Sequence, residues 1–175
     1  FEMHVTVKDT SRNILDYEVL TELDKMDSYL KREYGVGGMI SVLTAIKSAN
    51  QSSWLGLVDK YELPALEDYG KFEKGFNRMI RKYKRSLNDS TVKTPANSDI
   101  ISTYLDTSLS IARVTGRMGD WGSKHIFQLN DNLAAFYKDS INNDLIDYTL
   151  TGTAHLIDKN NSRLSGNMMI GLLIA

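Results

Sequence analysis

The stretch FEMHVTVK (residues 1–8) alternates apolar with polar side chains, and it decides the fold class that we expect. Its apolar residues share one face of an extended chain, as in a strand with one buried side: Phe1, Met3, Val5 and Val7. The spacing becomes helical at residues 16–32, where one face collects Val19, Leu20, Leu23, Met26 and Leu30. Asp16 is the expected N-cap of this helix and Gly35 its expected stop. The chain therefore begins as a strand that leads into an amphipathic helix.

Two further helices are predicted in the first half of the chain. The first covers residues 38–49, and the polar run at 48–53 then predicts a loop. Pro64 ends this region, and residues 68–87 carry the longest helical pattern. A polar stretch that contains a proline, residues 88–98, predicts a loop after it.

The second half is predicted to be rich in strands. Four segments have strand-like patterns: 109–114, 124–129, 148–156 and 168–174. Polar turns are expected at 117–122 and 158–162. A strand, then helices, then strands is the order of an α+β protein, in which an antiparallel sheet packs with several helices. We expect a single domain over residues 1–175, with a flexible N-terminal arm upstream of residue 1.

Composition excludes several classes of protein and names no partner. The 175 residues are 42% hydrophobic and 25% charged, which is typical of a globular chain. There is no cysteine, and this excludes a disulfide scaffold, thiolate zinc sites and a cysteine nucleophile. The net charge is −1, but residues 71–85 hold seven basic residues and one acidic residue. That window carries +6 and the rest of the chain −7, which indicates a basic patch on an acidic body.

The basic window forms one face of the predicted helix 68–87. Six basic residues, named here the cationic stripe, fall within about 100° of arc: Lys71, Lys74, Arg78, Arg81, Lys82 and Arg85. Nearly opposite them lie the apolar residues Phe72, Phe76, Met79, Ile80, Tyr83 and Leu87. Such a stripe could bind phospholipid headgroups or a nucleic-acid backbone. The ordinary alternative is a solvated helix face.

A second candidate surface is the segment WLGLV, residues 54–58, named here the apolar tip. It contributes Trp54, Leu55, Leu57 and Val58 next to a serine-rich stretch. An exposed tip of this kind could enter a membrane interface or a pocket of a neighbouring subunit. The alternative is that Trp54 folds back into the core, and of the two we expect this one.

No catalytic, cofactor or metal site is predicted. The glycine-rich loops at 34–38 and 116–122 lack the spacing of nucleotide-binding motifs, so helix-stop and hairpin roles are expected for them. His4, His125 and His155 have no metal-ligand spacing, and no nucleophile elbow occurs. A small hydrolase or nuclease, built from scattered carboxylates and a histidine, is kept as a lesser alternative.

The order of segments resembles the globular domain of rhabdovirus matrix proteins of the vesicular stomatitis virus type. That family also has an aromatic-and-valine strand entering a helix, which FEMHVTVK (1–8) and DYEVL (16–20) resemble. MISVLTAIKSANQSS (39–53) is similar to its apolar helix with a polar end, and WLGLVDKYELP (54–64) to its exposed apolar loop. Later matches are Arg117–Gly119, TLTGTAHLID (149–158) and MMIGLLI (168–174). Residues 65–105 have no counterpart, and the family's proline-rich motif and basic arm are not in this sequence.

The resemblance implies a structural protein without enzymatic activity, cofactor or small-molecule substrate. Matrix proteins of this type self-associate, bind the anionic inner leaflet of the viral envelope, bind the nucleoprotein–RNA complex and drive budding. The implied location is the inner face of the envelope, the host cytoplasm and the membrane periphery. A location in the nucleus is kept as a further alternative. By resemblance, Trp54–Val58 contacts the membrane or a neighbour. The cationic stripe is assigned to lipid or nucleocapsid by its charge alone, and a nucleic-acid-binding module that uses residues 71–85 is the alternative function.

Overall fold

The protein structure is a computed structural model that describes residues 1–89 and 103–152. The strands in these residues form one antiparallel sheet with the order β2-β3-β1-β4: β1 (Glu2–Val7), β2 (Gly37–Ile40), β3 (Ile111–Arg117) and β4 (Ile146–Thr151). The central strand β1 pairs with β3 on one side and β4 on the other, so that Met3 faces Val114 and Leu150. The predicted α+β class with an antiparallel sheet is confirmed.

The helices of the described ranges are α1 (Tyr17–Arg32), α2 (Val42–Ser53), α3 (Leu66–Asn88) and α4 (Ser123–Ser140). A short 3-10 turn, Val58–Lys60, lies between α2 and α3. Aromatic rings join α1 to its neighbours, since Tyr29 stacks on Phe136 of α4 with ring centroids 4.1 Å apart. The rings of Tyr17 and of Tyr69 in α3 are tilted by 51°, with their centroids 5.4 Å apart. Helix α1 therefore contacts both α3 and α4.

The core sits between the sheet and the helices. In β1 the apolar positions Met3, Val5 and Val7 are buried, while the polar positions between them are half-buried. The five apolar residues predicted for the inner face of α1 are all buried as well. Burying one leucine side chain contributes about 1.5–3 kcal/mol, so this face alone strongly favours the docked helix.

The start and end of α2 differ from the prediction of a helix at 38–49. Residues 37–40 pair with β3 instead, and the helix begins only after Ser41. Ser41 caps it, because its Oγ accepts a hydrogen bond from Leu43 N while Thr44 Oγ1 accepts one from Ser41 N. The polar run 48–53 is helical rather than a loop. Its polar side chains bond to the backbone, as Asn50 does when its Nδ2 donates to the Lys60 and Glu62 carbonyls.

The predicted strand at 124–129 is also wrong, since these residues belong to α4. Leu129 and Leu133 are four residues apart and buried, which is helical spacing that a six-residue window cannot show. The prediction for 148–156 is confirmed as far as Thr151 in β4. The predicted turn at 158–162 and strand at 168–174 lie outside the described residues, as do nearly all of the loop at 88–98 and the end of the strand at 148–156.

Candidate functional site

Helix α3 presents the cationic stripe to solvent. All six basic residues of the stripe are exposed. On the opposite side Ile80 is buried and Phe72, Phe76, Met79 and Tyr83 are partly buried against the core, as predicted; the side chain of Leu87 is not among those described. The buried Tyr69 fixes the beginning of the helix, because its hydroxyl donates to the Leu15 carbonyl.

Most of the stripe carries charge without an acidic partner among the described residues. Lys71 is the exception: its Nζ lies 2.7 Å from Asp68, and this hydrogen bond and charge raise the pKa of Lys71. Arg81 bonds only locally, from its Nε to the Asn77 carbonyl at 3.3 Å. Asp68 and Glu67 sit in the first turn of α3, where the helix dipole favours acidic side chains. The basic field is therefore concentrated in the middle and end of the helix.

One flank of α3 forms an open groove of about 520 Å³, named here the flank groove. The described residues that line it are Lys74, Asn77, Arg78, Ile80, Arg81, Lys84 and Leu109. Lys84 was left out of the cationic stripe because it lies about 60° outside the arc of the stripe, on the side of Ile80. The signal that could have found it is its spacing, three residues after Arg81 and seven after Asn77. Four cations and one amide thus converge beside two apolar side chains.

The apolar tip is exposed, which corrects the expectation that Trp54 folds back into the core. Trp54 and Leu57 are about half exposed, Leu55 is 98% exposed and Val58 is 84% exposed. The backbone explains the outward course, because Leu55 and Gly56 both have left-handed φ angles, of 57° and 80°. Gly56 is fixed to the end of α2 through a bond from its N–H to the Gln51 carbonyl at 2.9 Å. The Trp54 ring packs instead under Lys60, whose Nζ is 5.4 Å from the ring centroid.

The glycine-rich loops make structural contacts. Gly35 has a φ of 78° just after α1, where Val36 N donates to the Leu30 carbonyl, so its predicted helix-stop role is confirmed. The segment 116–122 is not a hairpin, because it connects β3 to α4. Its Trp121 covers Gly35, at which an added Cβ would meet the indole ring at 2.3 Å.

The histidines do not gather at one place in the described parts of the chain. His4 lies 3.5 Å from Glu2, and the His125 ring is 5.3 Å from that of Trp121. His155 falls outside the described residues. Within residues 1–89 and 103–152, no cluster of three or more histidine or acidic residues could hold a metal ion.

Compared with protein-family models, with curated proteins and with solved structures, the chain has no significant match. In the part of the chain that is described, none of the helices combines the length and hydropathy needed to cross a bilayer. Two exposed surfaces form the candidate site, the cationic face of α3 and the apolar tip.

Proposed function

We propose that this protein is a structural membrane-associated protein of the viral matrix type. In this proposal it binds the anionic inner leaflet of an envelope, associates with itself, and links the leaflet to a nucleoprotein–RNA complex. The observation that supports it most is that the apolar tip stands out in solvent, with Leu55 almost fully exposed. Helix α3 also exposes a basic face that, apart from Lys71, has no acidic partner among the described residues.

Two weak membrane signals together give stable attachment. A basic side chain near an anionic leaflet contributes about 1 kcal/mol, and this contribution falls with salt. Burying an exposed leucine or valine in the interface contributes about 1.5–3 kcal/mol, which salt does not screen. The cationic stripe would supply the electrostatic contribution and the apolar tip the hydrophobic one, just as a polybasic patch and an acyl chain act together.

Nucleic-acid binding is the second candidate, since the basic face of α3 suits any phosphate backbone. Single-stranded nucleic acids also need aromatic platforms for their bases. The aromatic side chains of α3, at Phe72, Phe76 and Tyr83, pack against the core instead. This favours lipid over nucleic acid as the main ligand of the helix.

Co-sedimentation with liposomes tests the proposal. We expect capture by phosphatidylserine-containing vesicles, release by high salt and no capture by neutral vesicles. Reversing the charge of Lys74, Arg78, Arg81 and Arg85 to glutamate should abolish capture. The matched control reverses four other exposed basic residues: Arg32, Arg117, Lys124 and Lys138. Intact binding in the α3 variant would refute the assignment of the stripe, and equal loss in both variants would reduce it to a net-charge effect.

Self-association is tested separately by sedimentation velocity over a range of protein concentrations. We expect the sedimentation coefficient to rise with concentration and the Leu55→Ser variant to weaken that rise, because this nearly fully exposed side chain is available to a neighbouring copy. A wild-type protein that stays monomeric at high concentration, both alone and on vesicles, would contradict this part of the proposal.

A further inference from the structure

The flank groove brings four positive charges to one side of α3. Lys74, Arg78, Arg81 and Lys84 line it, and no acidic residue is among the described lining residues. The first and last of them are ten residues apart, which is about 15 Å along the helix axis. Like charges held this close repel each other, so a ligand that neutralises several of them at once is favoured over one that neutralises a single charge.

Two apolar side chains and one amide line the groove beside the four cations. Ile80 is buried at its base, and Leu109 lies on the far side, in the turn that precedes β3. The backbone of Leu109 is left-handed, with φ of 63°, and is held by two hydrogen bonds: its N–H donates to the Asp106 carbonyl, and its own carbonyl accepts from Ile14 N. Asn77 adds an amide that can both donate and accept.

The carboxylate on the neighbouring turn is already occupied. Asp106 accepts hydrogen bonds from Ser108, Ser110 and the Ile111 N–H. These neutral donors engage its oxygens within the turn, and among the described residues Asp106 forms no ion pair with any of the four cations.

We infer that the flank groove binds the multiply phosphorylated headgroup of an inositol lipid. Two or three phosphate monoesters carry about −3 to −6 at neutral pH, which matches the four cations of the groove. A volume near 520 Å³ is in the range of small-ligand sites. The half-buried Leu109 offers an apolar surface for the C–H face of the inositol ring, and Asn77 suits a ring hydroxyl. That this headgroup is presented by a membrane rests on the proposed function.

A nucleic-acid strand suits the groove less well. Its phosphodiesters carry one charge each, so four consecutive nucleotides would be needed to neutralise the groove. Their bases would need stacking partners, and the described lining contains no aromatic residue. A phosphatidylserine headgroup, with one net negative charge, matches one cation only.

Two single substitutions on the same helix distinguish binding in the groove from binding to any positively charged surface. Lys84→Glu alters the groove and leaves the stripe intact, whereas Lys82→Glu alters the stripe and leaves the groove intact. Both residues are exposed and both changes reverse one charge. Titration with soluble inositol trisphosphate, followed by calorimetry, should show affinity about tenfold or more weaker for Lys84→Glu and less than threefold weaker for Lys82→Glu. Circular dichroism of both variants checks that they are folded.

Vesicle sedimentation supplies the second arm. Wild-type protein should prefer vesicles that contain phosphatidylinositol bisphosphate over phosphatidylserine vesicles of equal total charge, and Lys84→Glu should lose this preference. Equal effects of the two substitutions, equal capture by both vesicles, or equal competition by a single-stranded oligonucleotide would overturn the inference. Binding to both vesicles without preference would leave the proposed function standing. Binding of soluble inositol trisphosphate without capture by any vesicle would instead refute the membrane function and keep the groove.

Discussion

Lys47 Nζ lies 3.1 Å from the Asp27 carboxylate, between α1 and α2, and both side chains are more than nine-tenths buried. Asp24 also pairs with Lys47, and Lys31 reaches Asp27 from the solvent side at 2.7 Å. A buried charge is tolerated only when it is paired, so this cluster fixes how the two helices sit against each other.

Replacing Lys47 with methionine should destabilise the fold by about 2–4 kcal/mol. The loss is large because the substitution leaves the buried Asp27 with a single partner, and it is not larger because Lys31 still pairs with that carboxylate. Urea unfolding at neutral pH measures it. Lys31→Met is the matched control, and since Lys31 is 40% exposed it should cost under about 1 kcal/mol. Similar losses in the two variants would show that the buried position of Lys47 does not matter.

The same pair predicts a dependence on alkaline pH. Burial lowers the pKa of Lys47, but the hydrogen bonds and charges of Asp24 and Asp27 outweigh it and raise the pKa above its ordinary value of 10.5. A group whose pKa is raised by folding stabilises the protein fully below its unfolded pKa, and this contribution is lost as pH rises through the folded pKa. The difference in the free energy of unfolding between the wild type and Lys47→Met, measured in urea, should therefore be constant from neutral pH to about pH 10 and decrease above it.

Gly116→Ala should destabilise the protein by about 1–3 kcal/mol. A Cβ at this position would lie 2.3 Å from Val36 Cγ1, 3.1 Å from Met39 Cγ and 3.3 Å from the Gly37 carbonyl oxygen, so these groups at and just before β2 would have to shift. Thermal unfolding followed by circular dichroism measures the change. An unchanged melting temperature would mean that β2 moves without loss.

Gly75→Ala is the control for that substitution, and it should raise the stability of the protein rather than lower it. Gly75 lies within α3, and an added Cβ would meet no described atom within 4 Å apart from its own stretch of the helix. Alanine is favoured over glycine in a helix by about 0.5–1 kcal/mol, so the variant should be more stable. Destabilisation by Gly75→Ala would indicate a contact of α3 that the structure does not include.

The sequence predicted the fold class and the elements whose own pattern is strong. Helix α3 and strand β1 were found almost to the residue because apolar side chains mark a single face of each. Strand β2 was missed because its four residues carry two glycines and owe their extended form to pairing with β3, a contact distant in sequence. Residues 124–129 at the start of α4 were read as a strand because the exposed side chain of Phe127 obscures the helical period there.

Leu55→Asp should weaken binding to anionic vesicles by about tenfold or more while leaving stability within about 0.5 kcal/mol. The substitution removes an apolar side chain that would be buried in the interface and places a negative charge near anionic lipid. Because Leu55 is 98% exposed in the protein alone, its side chain contributes little to the stability of the fold. Vesicle sedimentation gives the affinity and urea unfolding gives the stability.

Leu66→Asp is the matched control for the tip. Leu66 is 64% exposed at the start of α3, outside the apolar tip, and the substitution makes the same change of charge and size. We expect it to weaken vesicle binding by less than threefold. If both leucine variants lost binding equally, the contact would extend over the whole segment from the tip to α3 rather than belong to the tip.

The candidate surfaces were only partly predictable. The cationic stripe follows from helical periodicity, which needs no tertiary information. The exposure of Trp54 does not follow from the sequence pattern. It depends on the left-handed turn at Leu55 and Gly56, and leucine rarely adopts that conformation. The groove beside Lys84 needs Leu109 as its second wall, a residue 25 positions further along the chain.

Tyr34→Phe should flatten the loss of stability between about pH 10 and pH 12. Burial raises the pKa of Tyr34 to about 12, and its hydroxyl donates to Asn130 Oδ1 at 2.6 Å. The unfolded chain ionises this tyrosine near its ordinary pKa of 10 while the folded protein does not, so its stabilising effect is complete below pH 10 and is lost as pH rises towards 12. At neutral pH the variant should be less stable by about 1 kcal/mol, since Asn130 loses a donor. Urea unfolding of both proteins at about pH 8 and pH 11 measures the two slopes, and identical slopes would mean that Tyr34 ionises as readily in the folded protein as in the unfolded chain.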